Sequence, residues 1–564
     1  MDSIYLQRPW LRSYPEAVPH DLNAGSHTAI GDFLATAAAQ PDSPAIYFFD
    51  ESISYGDLDR WSDSLAAALK TMGLEAGDRI IIDLQNVPQF VVGVYAAWKI
   101  GAIVVPLNPM YKDKELAYFC IDSGAKLFLT LDEIAQNLDL SVLKEAGIRH
   151  FITTSALDFL GPDSPVPGIL GHCKRSTIAG CYDLRALLNE YKDQRVEIYA
   201  SSPDSVAYLT YTSGTTGQPK GAMNTHGNIA FTSRVYQSMM SIDATDVVLG
   251  VAPLFHVTGE VAHTAIAALA GIPVVLSYRF DAGETLRLIE RWKVTMTVAA
   301  ITVYIAWMNH PDCKSRDLSS FRKSYSGGAP VSSALVDQFT ELTGCYLHNV
   351  YGMTETNSPS HIVPLGRKAP VDPESGALSV GLPVPGSFSR ICDPEDPARE
   401  LPAGEVGEIV NRGPMVIPGY WQRPEETRNA IKDGWLYTGD VGKMDEDGWF
   451  YLVDRKKDLI IASGFKVWPR DVEDVIYQHP GVKEAAVVGE PDEYRGETVK
   501  AFVALKPEFE GSLTPQDIIA FCKQRMAAYK YPRAVEFVSE IPKTLTGKFL
   551  RRALRSTESK ESKS

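Results

Sequence analysis

The stretch Tyr208–Met223, YLTYTSGTTGQPKGAM, concentrates the groups needed to hold a polyphosphate. Thr210, Tyr211, Thr212, Ser213, Thr215 and Thr216 offer hydroxyl donors, interleaved with Gly214, Gly217 and Gly221. Glycine accepts positive φ and has no side chain to keep an oxyanion from backbone N–H groups. Lys220 adds a mobile positive charge. The spacing is not that of a Walker A loop, because Gly217 is followed by Gln218-Pro219-Lys220-Gly221 rather than by the GxxxxGK[ST] pattern. The apolar lead-in Val206–Tyr208 and the Pro-Lys-Gly exit favour a phosphate loop over a flexible surface turn.

Six further clusters follow in order: Pro253-Leu-Phe-His256, Ser326-Gly-Gly-Ala-Pro330, Tyr351-Gly-Met-Thr-Glu355, Tyr437-Thr-Gly-Asp440, Asp454-Arg455 and Pro542-Lys-Thr-Leu-Thr-Gly-Lys548. Taken singly, each is an ordinary turn or charged run. Together with the phosphate loop, their identity, order and spacing over roughly residues 30 to 553 resemble the adenylate-forming superfamily of acyl-CoA synthetases, luciferases and nonribosomal-peptide adenylation domains. DGWLYTGD followed by DRKKDLIIASGFKVWP is most similar to the medium- and long-chain fatty acyl-CoA synthetases.

The resemblance implies a role for each residue. Thr212, Ser213, Gly214, Thr215, Thr216, Gly217 and Lys220 would hold the phosphates of ATP. Tyr351 would stack on adenine, with Gly328 and Ala329 along the base edge and Asp440 and Arg455 on the ribose. Asp440 suits that task as a bidentate acceptor. Thr354 would touch the α-phosphate, and Glu355 would ligate Mg²⁺, a hard oxygen for a hard cation. Lys548 would be the adenylation lysine, stabilising charge that develops as a carboxylate attacks the α-phosphorus. Lys457 would be the hinge about which a small C-terminal domain swings, and Gly464 would line the tunnel for the pantetheine arm of coenzyme A.

Two departures bear on substrate. Adenylation domains for amino acids place an aspartate after this Phe region, whereas Phe255-His256-Val257-Thr258 has no carboxylate. A buried substrate ammonium without a partner is costly, which argues against amino acids. His256 is then either a gate of the acyl pocket or a structural histidine. Some relatives carry a phosphate-contacting lysine where this chain has Ile461, so Lys466 or Arg470 is the substitute candidate. The acyl pocket is expected from Tyr236–Met240, His256–Thr258, Ile301–Tyr304 and the segment after Glu355, which are mostly apolar.

The elements that must position these residues read as α/β. A chain of 564 residues exceeds one core and implies two to four domains or subdomains. Strand and helix alternate at 54–72 (a strand-like start running into a helix), 79–84, 88–100 and 102–107, and again at 246–252, 259–270, 273–276 and 282–292, as in parallel βαβ units. From about 364 to 453, short β segments separated by Gly, Pro and Asp suggest a small β-barrel. Beyond lies a compact α/β module with elements at 471–478, 485–488, 499–505 and 514–526. The expected division is a large AMP-binding domain of layered βαβ subdomains plus the barrel over 1–454, a hinge at 455–457, a small mobile α/β domain at 458–553 and a disordered tail at 554–564.

Composition narrows the partners. A net charge of −15 argues against nucleic acid. Seven cysteines without a CxxC pair fit a reducing compartment, and the absence of a signal-peptide core or convincing apolar span fits the cytoplasm. The expected activity is ATP- and Mg²⁺-dependent ligation of a carboxylic acid to CoA, with a medium- or long-chain fatty acid as first choice and an aryl or arylalkanoic acid second. The alternatives are an acyl-AMP ligase loading a carrier protein and a noncatalytic nucleotide-binding sensor. Only fifteen positions separate Asp440 from Arg455, leaving no room there for an added segment.

Overall fold

The computed structural model describes residues 3–556 except 213–217, 330, 374, 456–457, 459, 463–464, 493–495, 544–548 and 550; the side chains of 454–455, 461, 465–466, 471, 496, 552 and 555–556 are also outside it. Two large sheets use strands drawn from Pro44 to Pro383. One has seven strands in the order Tyr182–Asp183, His150–Thr154, Leu127–Leu131, Arg79–Asp83, Ile103–Pro106, Val206–Thr212 and Lys220–Thr225, parallel except for the last pair. The other has nine: Leu382–Pro383, Ser358–Ile362, Leu347–Met353, Lys323–Gly327, Met296–Ala299, Val248–Leu249, Val274–Leu276, Pro44–Phe48 and Glu51–Ser54. Its middle is parallel, and antiparallel pairs finish both edges.

Local chemistry explains the helices between them. Ser54 caps helix Tyr55–Thr71 through a capping box with Asp57, which stops the preceding strand at Ser54. Helix Pro88–Lys99 is buried along its whole length, as its nearly continuous apolar sequence requires. Lys99, with 0% of its side chain exposed, is paired there with two carboxylates, its Nζ lying 2.7 Å from Asp59 Oδ1 and 2.8 Å from Asp63 Oδ1.

The helix expected over 259–270 is present but interrupted. Residues Glu260–Ala265 form a π-helical turn between Val257–Gly259 and Ile266–Ala270. The strand expected over 246–252 shrinks to Val248–Leu249, since Asp246 is drawn off to accept from Thr295, Arg322 and Lys323. The segment expected to form a small barrel is a five-stranded antiparallel half-barrel of Phe388–Cys392, Gly407–Arg412, Ile431–Lys432, Trp435–Met444 and Phe450–Arg455.

The C-terminal module has its own sheet (Ile460–Ala462, Phe465–Val467, Val482–Asp492, Gly496–Leu505, Ala534–Phe537) and its own core, including Val472, Ile476, Val487, Val503 and Ile518. Arg470, only 2% exposed, donates to the Leu452 carbonyl at 2.6 Å and lies 3.6 Å from Asp474 Oδ2. It is therefore engaged at the junction with the preceding β unit. One expectation is corrected here: the tail does not begin at 554. Helix Arg551–Ser556 continues through it, and Leu554 is buried against Ala486, Val488, Phe502 and Ile541, apolar burial that offsets the entropy of ordering. Residues 557–564 lie outside the described residues. No helix among the described residues is long and apolar enough to cross a membrane.

Candidate active site

The phosphate-loop sequence caps a β-hairpin. Strand Val206–Thr212 pairs antiparallel with Lys220–Thr225, and Thr212 stands opposite Lys220. The loop therefore joins two strands, where a Walker loop joins a strand to a helix. Ser213, Gly214, Thr215, Thr216 and Gly217 lie outside the described residues. The hairpin's base is braced from several sides. Tyr118 donates to the Pro219 carbonyl at 2.6 Å, and Tyr211 donates to Asp122 Oδ2 at 2.7 Å. Tyr420 makes a single antiparallel bridge to Ala222, with Met223 N–H donating to Gly419 O at 3.0 Å and Trp421 N–H to Gly221 O at 2.8 Å.

The nine-stranded sheet supplies the facing wall. Strands Lys323–Gly327 and Leu347–Met353 are parallel neighbours, so their C-terminal ends bring Gly328-Ala329 beside Tyr351. Ligands of open parallel sheets bind at such strand ends. Gly328 has φ +81°, a conformation that glycine adopts freely. Gly352 is required for a different reason, because a Cβ there would lie 1.5 Å from the Ser358 carbonyl oxygen. That close approach falls where the pairing with strand Ser358–Ile362 shifts register, between Tyr351 and Gly352. Thr354–Thr356 then form one 3-10 turn, followed by Asn357 and Ser358 at φ +48° and +87°. Two non-glycine residues in succession with positive φ carry local strain, which the surrounding contacts must offset.

The two sheets and the half-barrel meet around this turn. Asn224, on the hairpin, donates through Nδ2 to the Thr354 carbonyl at 3.0 Å. Ile417 N–H donates to the Glu355 carbonyl at 3.1 Å, and the Tyr420 hydroxyl donates to Glu355 Oε1 at 2.8 Å. Burial, then the Glu355 charge, pushes the Tyr420 phenol well above its usual range, so it remains a donor. Lys220 Nζ lies 5.2 Å from the centre of the Tyr420 ring, within cation–π reach. From the half-barrel comes Asp440, 6% exposed, whose Oδ2 accepts from the Tyr351 hydroxyl at 2.7 Å. Arg455 stands directly opposite Asp440 in the strand register. Tyr351, Thr354, Glu355, Asp440, Lys220 and the backbone of Gly328, Ala329 and Arg455 are thus carried to one junction by three sheets.

His256 is half-buried and caps the short helix after it, its Nδ1 accepting from Thr258 N–H at 3.3 Å. Other expected acyl-pocket residues are close-packed. Tyr236 is 1% exposed with its hydroxyl 2.7 Å from Ser358 Oγ, and the fully buried Tyr304 donates to the Tyr325 carbonyl at 2.7 Å. Lys457, Gly464 and Lys548 lie outside the described residues.

Two residues that sequence reading passed over belong to this neighbourhood. Tyr420 sits in Gly419-Tyr-Trp421, whose glycine followed by two aromatics was the available signal. Glu260 lies just two positions beyond Thr258, where the search for a carboxylate ended. It is 1% exposed on the π-turn, and both of its oxygens lie within 3.0 Å of the Thr210 hydroxyl. Burial pushes its pKa up to about 8. A carboxyl kept neutral is no partner for a substrate ammonium, so Glu260 does not make this a site for amino acids.

The donor set around Glu355 fits Mg²⁺. That ion commonly takes one or two carboxylates together with substrate phosphates, and Glu355 offers one buried carboxylate oriented by Tyr420 beside the phosphate hairpin.

The model of the AMP-binding enzyme family matches residues 33–421, and that of the AMP-binding enzyme C-terminal domain matches 471–548. The chain is 37% identical to a long-chain-fatty-acid–CoA ligase of Bacillus subtilis, covering 97% of this chain and 98% of that one. It is 34% identical to a feruloyl-CoA synthase of Amycolatopsis, covering 92% and 96%. Among solved structures, an anthranilate CoA ligase in complex with anthranoyl-AMP superposes with a TM-score of 0.83 at 27% identity, covering 95% of this chain and 98% of that chain. The chain belongs to the AMP-binding enzyme family.

Proposed function

We propose that this protein activates a medium- or long-chain fatty acid, using Mg²⁺-ATP, and transfers the acyl group to coenzyme A. The class of reaction follows from the family: the chain is an AMP-forming carboxylic acid–CoA ligase that works through an acyl adenylate. The observation that carries the site assignment is the convergence of Tyr351, Glu355 and Asp440 with the Lys220 hairpin from three separate sheets.

In the first step the acid's carboxylate oxygen attacks the α-phosphorus of ATP, forming the acyl–phosphate bond and releasing pyrophosphate. Tyr351 would stack on adenine along Gly328 and Ala329, and Asp440 and Arg455 would hold the ribose. Thr354 would donate to the α-phosphate, while Thr212, the 213–217 loop and Lys220 hold the outer phosphates. Glu355 would hold Mg²⁺, which neutralises phosphate charge when bound. Lys548 would stabilise the charge that develops at the attacked phosphorus. In the second step the CoA thiol, as thiolate, attacks the acyl carbonyl and displaces AMP. That step would use a rotated C-terminal domain, with Lys457 as hinge and Gly464 lining the thiol's path. The proposed units are 1–454, 455–457 and 458–553.

The substrate reading rests on the apolar acyl wall and on relatives named long-chain-fatty-acid–CoA ligases. An aryl acid is the second reading, favoured by the feruloyl-CoA and anthranilate relatives. CoA is preferred over a carrier protein because Asp440 and Arg455 face each other on adjacent strands joined by a short turn. Free thiols at all seven cysteines support a cytoplasmic location. The deciding experiment measures CoA-dependent AMP release across fatty acids of graded length and a set of benzoates and cinnamates. Turnover confined to aryl acids refutes the fatty-acid reading, and activity only with a phosphopantetheinylated carrier refutes CoA as acceptor.

A further inference from the structure

Far from the nucleotide site in sequence, three ligand types of different chemistry converge. Glu133 follows strand Leu127–Leu131, and His172 and Cys173 belong to the long excursion between strands His150–Thr154 and Tyr182–Asp183. One ligand atom from each lies within 4.8 Å of the other two. His172 Nε2 is 3.6 Å from Glu133 Oε2 and 3.6 Å from Cys173 Sγ.

Those separations can be compared with a metal polyhedron. A tetrahedral zinc ion has Zn–S of about 2.3 Å and Zn–N or Zn–O of about 2.0–2.2 Å, so its ligand atoms stand about 3.3–3.6 Å apart. Both edges to His172 sit at the upper end of that interval, and the third, between Glu133 and Cys173, is no longer than 4.8 Å. The other Glu133 oxygen accepts from the Tyr278 hydroxyl, an outer contact of the kind that orients a metal-ligating carboxylate. Cys173 is buried, whereas the His172 side chain is 56% exposed and leaves an entry path for an ion.

The surrounding charges also suit a cation. The carboxylates of Glu133 and Asp132 both act on Cys173, against the single guanidinium of Arg279. A divalent ion takes Cys173 as the thiolate, so its binding is coupled to loss of the thiol proton.

We propose that Glu133 Oε2, His172 Nε2 and Cys173 Sγ form a zinc site with water in the fourth position. The mixture of thiolate, imidazole and carboxylate selects a borderline-soft ion over Mg²⁺ or Ca²⁺. Its effect is to staple the 155–181 excursion to both large sheets. Tyr278, which holds Glu133, is bridged to Asn86. Asn86 Nδ2 donates to the Gly250 and Ala252 carbonyls, and its Oδ1 accepts from Leu254 N–H. The staple therefore ends in the segment that carries His256.

The test uses the full-length protein, stripped with a chelator and titrated with Co²⁺ in excess Mg²⁺. Expected is a thiolate-to-cobalt charge-transfer band with tetrahedral d–d absorption, saturating at one equivalent and displaced by Zn²⁺. Cys173→Ser should abolish the charge-transfer band. His172→Ala, at an exposed position that does not threaten folding, should weaken binding by at least about tenfold. Zn²⁺ should raise the thermal midpoint of the stripped wild type and raise that of His172→Ala by clearly less at the same concentration. The proposal is overturned if no saturable one-equivalent site is found. It is equally overturned if the band persists in Cys173→Ser, which would place it on another cysteine.

Discussion

Replacing Glu260 with glutamine isolates the cost of a buried acid beneath the phosphate hairpin. The wild-type carboxyl has its pKa raised from 4.5 to about 8 by burial, partly relieved by the Thr210 hydroxyl. Between those two values the folded protein keeps a proton that the unfolded chain has released. The proton count is thus higher in the folded state, and stability falls as pH rises through this window. At about 1.4 kcal/mol for each pH unit, the loss between pH 5 and pH 9 comes to about 4 kcal/mol. Glutamine keeps the shape and the contact with Thr210 but carries no titrating proton. Asp83, also raised by burial to about 7, contributes equally to both proteins and cancels in the difference. Urea unfolding at several pH values, followed through the transition of the large N-terminal region, should give matching stabilities near pH 5. The variant should gain on the wild type steadily toward pH 9. Curves that remain parallel across that range would show that Glu260 is ionised in the folded protein, and the argument from burial would fall.

Four other outcomes follow from the site. Asp440→Ala should weaken ATP binding by about 1.5–3 kcal/mol, the scale of charge-assisted hydrogen bonds, with a smaller loss for 2′,3′-dideoxy-ATP; an unchanged ratio between the two nucleotides by calorimetry would remove Asp440 from the ribose. Tyr420→Phe deletes the hydroxyl that orients Glu355 and should raise the KM for Mg²⁺-ATP about tenfold, the equivalent of about 1.4 kcal/mol, with the thermal midpoint little changed; an unaltered KM refutes the orienting role. Lys548→Ala should nearly abolish adenylation, read by pyrophosphate exchange, yet retain thioester formation from a supplied acyl adenylate, and equal loss of both half-reactions counts against the assignment. Lys457→Pro fixes φ near −65° and removes an N–H, so single-turnover assays should show adenylation preserved and CoA transfer reduced by orders of magnitude; no change in either half-reaction refutes the hinge.

The sequence by itself determined the family, the order of the nucleotide-binding segments and most of the α/β alternation, because these depend on short-range information. A capping serine, a glycine-rich loop or an apolar run has the same local meaning wherever the chain goes next. Helix 282–292 was legible to the residue for that reason, since Asp281 caps its start through the Glu284 N–H. Tertiary structure alone decided which distant groups meet. Nothing local says that Tyr351 reaches Asp440, 89 positions away, or that Tyr420 reaches Glu355, 65 positions away. The same holds for Glu260, whose burial follows only when strand Val206–Thr212 brings Thr210 against it. His172 and Cys173 are neighbours in the chain, but only the fold brings Glu133 beside them. Charge state and ligand geometry depend on desolvation and on partners supplied by other elements, and those are fixed only when the sheets pack.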